Sequence, residues 1–168
     1  AMAFAAGSRQ CWFENSLHTL STPPVRWQKL KYHGLNGGQK VRGEYLCVPV
    51  SFLAKAVGAE YLPAEDTLTA ELVLADGRHV QFARGSIGCM IDDTMRCMYC
   101  EALHRDGELL VSLEWFCKYL FNYHVSECNG VVYVTDHFID LSFFMADLIK
   151  DLFEGKAMPD DFSNIVIE

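Results

Sequence analysis

The sequence predicts an α+β fold: antiparallel β-hairpins with two short helices in a pseudo-repeat, plus a longer C-terminal amphipathic helix. The first observation behind this prediction is a repeat. An apolar strand runs into an amphipathic helix from Val48 to Glu60, and the same pattern returns from Val111 to Tyr123, at an offset of 63 residues. The second is the alternation of apolar residues on both sides of turn pairs such as Asp76-Gly77, which is typical of hairpins.

The N-terminal part of the chain has little regular pattern. Residues 1–8 are small and apolar without the charged start of a signal peptide, so we expect an added or linking segment there. Residues 11–13 are compatible with a short strand, and residues 27–32 with a second strand or an extended arm. Pro23 and Pro24 interrupt regular structure between them. A domain is expected over residues 9–136.

The first repeat unit covers about residues 44–84. A strand is predicted up to Val50, with Ser51 as the helix cap and Gly58 as the helix end. Three strands follow at the alternating segments, which are residues 59–62, 68–74 and 79–83.

The second repeat unit covers about residues 107–136, after short strands at 89–91 and 95–103. Its strand is predicted at 109–113. Its helix, residues 114–121, is expected to end near Asn122, a residue that tolerates the left-handed conformation. A last hairpin is predicted around the turn Asn129-Gly130.

Residues 137–168 are predicted to form a C-terminal helix and a tail. Apolar residues recur at helical spacing from Phe138 to Phe153, which predicts one amphipathic helix ended by Gly155. The apolar run Ile165 to Ile167 is expected to pair as a terminal strand or to dock on a partner.

Composition excludes several classes of function. The chain has 168 residues and a formal net charge of −8, with no cluster of Lys or Arg, which argues against nucleic acid and acidic membrane surfaces as partners. No apolar run approaches the roughly 18–20 residues that a membrane span needs. With 51% hydrophobic residues, the chain can bury a core.

The seven cysteines do not form a recognisable ligand set. Cys97 and Cys100 make a single CxxC motif, and a structural zinc site needs a second ligand pair that the sequence lacks. Cys47 and Cys117 lie on apolar faces and are expected to be small buried hydrophobes. Mostly free thiols are predicted, in a reducing or anaerobic setting.

The repeat resembles the stalk-type domain, also labelled the copper amine oxidase N-terminal-like domain. The resemblance covers roughly residues 40–136, is carried by the signature from Val48 to Glu60, and includes Arg84-Gly85-Ser86 where that family has a glycine-serine pair. The second copy departs from the signature, with Ser112 in place of its proline and Phe121 in place of its glycine. The C-terminal helix is also outside the family pattern.

The resemblance implies an accessory domain of secreted or cell-surface bacterial proteins, often attached to glycan-active modules. It implies neither copper nor a quinone cofactor and supplies no catalytic residues. Asn122-Tyr123 is similar to the dipeptide around the modified tyrosine of amine oxidases, but His124 follows it and no His-x-His pair is present. We therefore expect no enzyme activity and no cofactor.

Candidate binding residues are aromatic. Trp27 and Tyr32, in an irregular segment, are the best candidates for an exposed sugar-stacking surface, whereas Trp115 is expected in the core. The acidic pairs Asp92-Asp93 and Asp160-Asp161 are expected to be solvated turns, because adjacent carboxylates do not face one cleft as glycosidase chemistry requires.

The sequence thus predicts a non-catalytic accessory, scaffold or binding module of a larger bacterial secreted or cell-surface protein. It would position a glycan-active neighbouring domain or contact cell-wall polysaccharide. One alternative is an interaction or oligomerisation domain that uses the C-terminal helix. The other is a small enzyme with a metal or thiol site near Cys89, Cys97 and Cys100.

Overall fold

In the part of the chain that the structure describes, three β-sheets of antiparallel strands have three short helices packed against them. A computed structural model describes residues 1–32 and 40–155, and gives residues 29–32 and 40–43 by their backbone alone. Strands account for 46% of the structure and helices for 20%, and one sheet curls into a half-barrel. The predicted α+β class, with antiparallel hairpins, two short helices and a longer C-terminal helix, is therefore wrong, and the fold is β-rich.

The strands and helices of the described residues have the following bounds. The strands are β1 (Met2–Ala5), β2 (Gln10–Phe13), β3 (Ser16–Thr19), β4 (Val25–Tyr32), β5 (Lys40–Pro49), β6 (Glu60–Pro63), β7 (Thr69–Val73), β8 (His79–Ala83), β9 (Gly88–Ile91), β10 (Thr94–Cys97), β11 (Leu103–Arg105), β12 (Glu108–Ser112), β13 (His124–Cys128) and β14 (Val131–Thr135). The helices are α1 (Val50–Val57), α2 (Leu113–Phe116), which continues as a π-helical turn over Cys117–Phe121, and α3 (Phe143–Phe153).

Two of the three sheets, sheets I and II, have corresponding strand orders. Sheet I is β6-β7-β8-β9-β10, sheet II is β13-β14-β1-β2-β3, and sheet III is β11-β12-β5-β4. In sheet III, Val48 lies directly opposite Val111. These are the first positions of the two sequence repeats, so a local two-fold axis relates the strands of sheet III on either side of this pair.

Sheet II is completed by the N-terminus of the chain. Strands β1, β2 and β3 follow β14 in sheet II as β8, β9 and β10 follow β7 in sheet I. The loops that follow β8 and β1 repeat one hydrogen bond: Ser86 N–H donates to the Ala83 carbonyl at 3.1 Å, and Ser8 N–H to the Ala5 carbonyl at 3.2 Å. The second repeat is therefore split between the two ends of the chain. Strands β13 and β14 come late in the sequence, whereas β1, β2 and β3 lie 78 residues before their equivalents β8, β9 and β10.

The segment 1–8, predicted as an added or linking segment, contributes a buried strand. Strand β1 lies between β14 and β2, and Met2, Ala3 and Phe4 are buried. Because strand side chains alternate between faces, Met2 and Phe4 join the main core while Ala3 packs beneath α3. Four residues are too few for their pattern to predict this, since the partner strand starts at residue 131.

The two repeat helices differ by one residue. Helix α1 ends at Gly58, with φ of 72°, as predicted, and α2 with its π-helical turn ends at Asn122, with φ of 56°. These caps are 64 residues apart, one more than the repeat offset, and a π-helical turn accommodates one inserted residue. Asn122, rather than Phe121, thus takes the place of the repeat glycine.

The start of α1 also differs from the prediction. Helix α1 begins at Val50, and its cap residue Pro49 makes no side-chain bond to the helix. The Ser51 hydroxyl instead donates to Glu108 Oε2 at 3.0 Å. In α2 the cap is Ser112, whose hydroxyl accepts from the Trp115 N–H at 3.4 Å.

Helix α3 is shorter than the predicted helix over residues 138–153. It begins at Phe143, because the Ser142 hydroxyl caps it by accepting from the Met145 N–H at 3.2 Å. Ala146 and Ile149 pack on the outer face of sheet II. The predicted terminal strand lies outside the described residues.

The main core lies between the sheets and the first two helices. Its largest fully buried side chains include Phe4, Leu53, Leu72, Val80, Leu113 and Phe116. Within residues 1–32 and 40–155, no helix combines the length and apolar character that crossing a bilayer requires.

Candidate functional site

A cleft of about 620 Å³ lies between the β9–β10 hairpin of sheet I and helix α2 with its π-helical turn. Its lining residues are Arg78, Ile91, Asp92, Thr94, Arg96, Cys97, Tyr99, Trp115 and Tyr119. The volume is in the range of small-molecule sites, which are typically lined by aromatic side chains with a few polar groups. We take this cleft as the candidate site.

The helical wall of the cleft is aromatic. Trp115 and Tyr119 are four positions apart, so their rings lie on the same side of the helix, with centroids 5.6 Å apart. Tyr99 meets Tyr119 edge to face at 6.1 Å. Trp115 is only 4% exposed and belongs to the core, as predicted, whereas Tyr119 is 52% exposed. The exposed ring of Tyr119 offers a stacking surface for a flat ligand.

The aromatic wall continues away from the cleft. Tyr45 stacks on Tyr99 with centroids 5.2 Å apart and an interplanar angle of 23°, and Trp27 lies 6.1 Å from Tyr45. We call these five rings, Trp27, Tyr45, Tyr99, Tyr119 and Trp115, the aromatic row. Burial and the neighbouring phenol of Tyr119 raise the pKa of Tyr99 to about 12, so this ring stays neutral.

Two arginines line the cleft, and they differ in their partners. Arg78 is held in place: its Nη2 donates to the Leu120 carbonyl at 2.9 Å and its Nε to Asp76 Oδ2 at 2.8 Å. Arg96 is exposed on β10, and its guanidinium makes no hydrogen bond or ion pair with the described residues. In a chain with net charge −8, an unpaired guanidinium beside an aromatic wall favours an anionic group on the ligand.

The other half of the molecule has an equivalent place between the β2–β3 hairpin and helix α1, and side chains fill it. Arg96 lies opposite Cys89 in sheet I, and His18 lies opposite Cys11 in sheet II, at the same 78-residue offset. The His18 ring packs 5.6 Å from Phe13 and 6.2 Å from Phe52, the repeat equivalent of Trp115.

His18 Nε2 is also fixed, 3.0 Å from the Phe13 carbonyl oxygen. Ala56 stands where the other half has Tyr119, and a cavity that Phe13 and Ala56 line measures about 130 Å³. The open cleft is therefore a feature of one half and not a by-product of the fold.

The two binding residues predicted from the sequence, Trp27 and Tyr32, do not lie in an irregular segment. Trp27 is half-buried at the outer end of the aromatic row, in strand β4 and not in an irregular segment. The backbone of Tyr32 pairs with Lys40 at the end of β4, and its side chain is outside the description. Tyr119 and Arg96 were not among the binding residues predicted from the sequence. The four-residue spacing of Tyr119 from Trp115 could have indicated that both rings lie on one side of the helix, whereas no sequence pattern pointed to Arg96.

The proposed cysteine site is not brought together. Cys89 is buried on β9, and burial raises its pKa to about 11. Cys97 is exposed on the neighbouring strand β10, while Cys100 faces Cys47, with the two Sγ atoms 3.5 Å apart. Across the described part of the chain, no three His, Cys, Asp or Glu side chains are grouped to hold a metal ion.

The acidic pair Asp92-Asp93 forms the exposed turn between β9 and β10, as predicted, with Asp92 at φ of 52°. Asp92 Oδ1 accepts from the His79 N–H at 3.0 Å, which joins this turn to β8. The second pair, Asp160-Asp161, lies outside the described residues.

Comparison of the chain with family models, with curated proteins and with solved structures gave no match. The resemblance to the stalk-type domain therefore stays a prediction that rests on the repeat signature alone.

Proposed function

We propose that the protein is a non-catalytic binding module whose ligand is a carbohydrate with an acidic group. The observation that carries this proposal is the open cleft, since the equivalent place in the other half is closed by His18. The exposed ring of Tyr119 suits the apolar face of a sugar, and the unpaired Arg96 suits a carboxylate or phosphate.

The setting of this module is proposed from the stalk-type resemblance. The module belongs to a larger bacterial secreted or cell-surface protein, where it positions a neighbouring glycan-active domain or contacts cell-wall polysaccharide. Cell-wall glycan contains a sugar that carries a carboxylate next to a neutral one, which matches the aromatic wall and the guanidinium of the cleft.

Calorimetric titration with two soluble probes tests the proposal. The probes are a disaccharide of N-acetylglucosamine and N-acetylmuramic acid, and the neutral disaccharide of N-acetylglucosamine. Because a central stacking ring is usually worth more than 1 kcal/mol in binding, Tyr119→Ala should weaken binding of the acidic probe by about tenfold. The matched control is Leu17→Ala, at a 41% exposed residue of sheet II, which should bind normally.

Two results would count against the proposal. If neither probe binds to the wild-type protein, a carbohydrate ligand of this kind is refuted. If Tyr119→Ala and Leu17→Ala weaken binding equally, the cleft is not the binding site. Chemical conversion of either probe during the titration would overturn the non-catalytic assignment.

A second candidate function is self-association through α3 and the residues before it. Phe138 and Phe143 are 72% and 69% exposed, which is unusual for phenylalanine. Light scattering over a concentration series tests it. A mass that rises with concentration in wild type and not in Phe143→Ser supports association through this surface, and a constant monomer mass refutes it.

A further inference from the structure

Cys47 and Cys100 form a buried thiol pair. Their Sγ atoms lie 3.5 Å apart, although the residues are 53 positions apart in the chain. Cys47 is 0% exposed and Cys100 is 1% exposed. The sulfur atoms of a disulfide are about 2.05 Å apart, so the two thiols, now 3.5 Å apart, would approach by roughly 1.5 Å to form one.

The pair is specific to one half of the molecule. At the repeat offsets, the positions of Cys47 and Cys100 correspond to Leu110 and Thr22. Leu110 has no polar side-chain atom, and Thr22 donates its hydroxyl to a different residue, Asp106, at 2.9 Å, so the other half has no such pair. The fold therefore does not require two thiols here.

The pair also lies directly behind the aromatic row. Cys100 follows Tyr99 in the chain, and Cys47 is two residues from Tyr45, on the same face of β5. The two tyrosine rings stack, and Cys47, Cys100 and Tyr45 share one apolar cluster on sheet III. A bond between the sulfur atoms would tie the loop that carries Tyr99 to β5.

We propose that Cys47 and Cys100 are a redox-active pair that forms a disulfide when a peroxide oxidises the protein. The contact between the thiols gives them different roles. The hydrogen bond between the two thiols lowers the pKa of Cys100, and the same bond together with burial raises the pKa of Cys47. We assign the first attack to Cys100, because the thiolate is the nucleophile in thiol oxidation.

The reaction balances with hydrogen peroxide as oxidant. The Cys100 thiolate attacks one peroxide oxygen, the O–O bond breaks, and the departing hydroxide takes up a proton to give water. Cys100 is then a sulfenic acid. Cys47 loses its proton and attacks the Cys100 sulfur, the S–O bond breaks, and a second water leaves. Two thiols lose two electrons, and the peroxide is reduced to two water molecules.

The test is peptide mapping of the folded protein after peroxide treatment, in a Cys97→Ser variant. Trypsin releases Cys47 in the peptide 43–55, and both cysteines of the CxxC motif in the peptide 97–105. With Cys97 replaced at its exposed position, Cys100 is the single cysteine of the second peptide. A disulfide between the two peptides then identifies the pair without ambiguity.

The expected result is a cross-linked species of peptides 43–55 and 97–105 as the main product, with loss of two thiols. The same treatment in urea is the control for random pairing, and Cys117→Ala, which removes another buried thiol, should cross-link normally. Recovery of both peptides with free thiols after oxidation of the folded protein would overturn the proposal. So would Cys100 bonded to any cysteine other than Cys47.

Discussion

Arg96 and His18 occupy equivalent positions in the two halves of the molecule, and only Arg96 lines an open cleft. Each lies opposite a buried cysteine on the neighbouring strand, Cys89 for Arg96 and Cys11 for His18. The ring of His18 packs against Phe13 and Phe52, whereas Arg96 remains exposed on β10. One position therefore closes a cavity in one repeat and borders a site in the other.

The charge of Arg96 should matter for the acidic probe alone. Arg96→Gln is expected to weaken binding of the muramic-acid disaccharide by roughly fivefold, since a charge-assisted contact at an exposed site is worth about 1 kcal/mol. Binding of the neutral disaccharide should not change. Calorimetry at low and high salt is the measurement, and the matched control is His18→Gln. Equal weakening of both probes would show that Arg96 does not contact the acidic group.

The helix ends make a matched pair of stability tests. Gly58 has a φ of 72° and open space where a Cβ would lie, so Gly58→Ala changes backbone conformational energy without a clash. It should lower the free energy of unfolding by about 1 kcal/mol. Asn122→Gly, at the equivalent cap, should leave stability the same or raise it. Urea unfolding measures both, and an unchanged midpoint for Gly58→Ala would contradict the cap assignment.

Oxidation of the thiol pair should stabilise the protein. A disulfide between Cys47 and Cys100 closes a loop of 53 residues, which restricts the unfolded chain by up to about 4 kcal/mol, less any strain in the native state. Urea unfolding of the peroxide-treated protein, with and without reductant, measures the difference. Cys47→Ala provides the control, because peroxide should not stabilise it. Lower stability of the oxidised wild-type protein would show that the native geometry resists the bond.

His79 should titrate above its ordinary pKa of 6.5. The hydrogen bond with Glu71 is the main cause, and the charges of Glu71 and Asp92 add to it. A titration of the His79 ring followed by NMR should show the raised pKa, and Glu71→Gln should bring it back towards 6.5. Glu60→Gln, which removes a more distant charge, should have a smaller effect. Equal effects of the two substitutions would refute the hydrogen bond as the cause.

The same pair predicts a pH dependence of stability. Because the folded-state pKa of His79 is raised, its contribution is fully present below the unfolded-state pKa and is lost as pH rises through the folded-state value. Glu71→Gln should therefore destabilise the protein at about pH 5 and have no effect through His79 at about pH 9. Urea unfolding at the two pH values measures this. A loss of stability confined to the higher pH would contradict the sign.

The sequence by itself determined the local elements. Alternation and turn pairs predicted strand β8 at its observed bounds, and β7 and β9 within one residue of theirs. The offset of 63 residues found a true relationship, because Val48 and Val111 lie opposite each other. Local patterns succeed here because side-chain alternation and turn geometry depend on neighbouring residues alone.

Only the tertiary structure decided the fold class and the site. Strand β1 is too short to be predicted from its own four residues, and it is stabilised by pairing with β14, about 130 positions away. The candidate cleft depends on the same kind of long-range placement, since Arg96, Tyr99 and Tyr119 come from separate elements. The thiol pair does too, because Cys47 and Cys100 meet across 53 residues of chain. Contacts of this kind follow from sheet order and packing, which no local pattern in the sequence specifies.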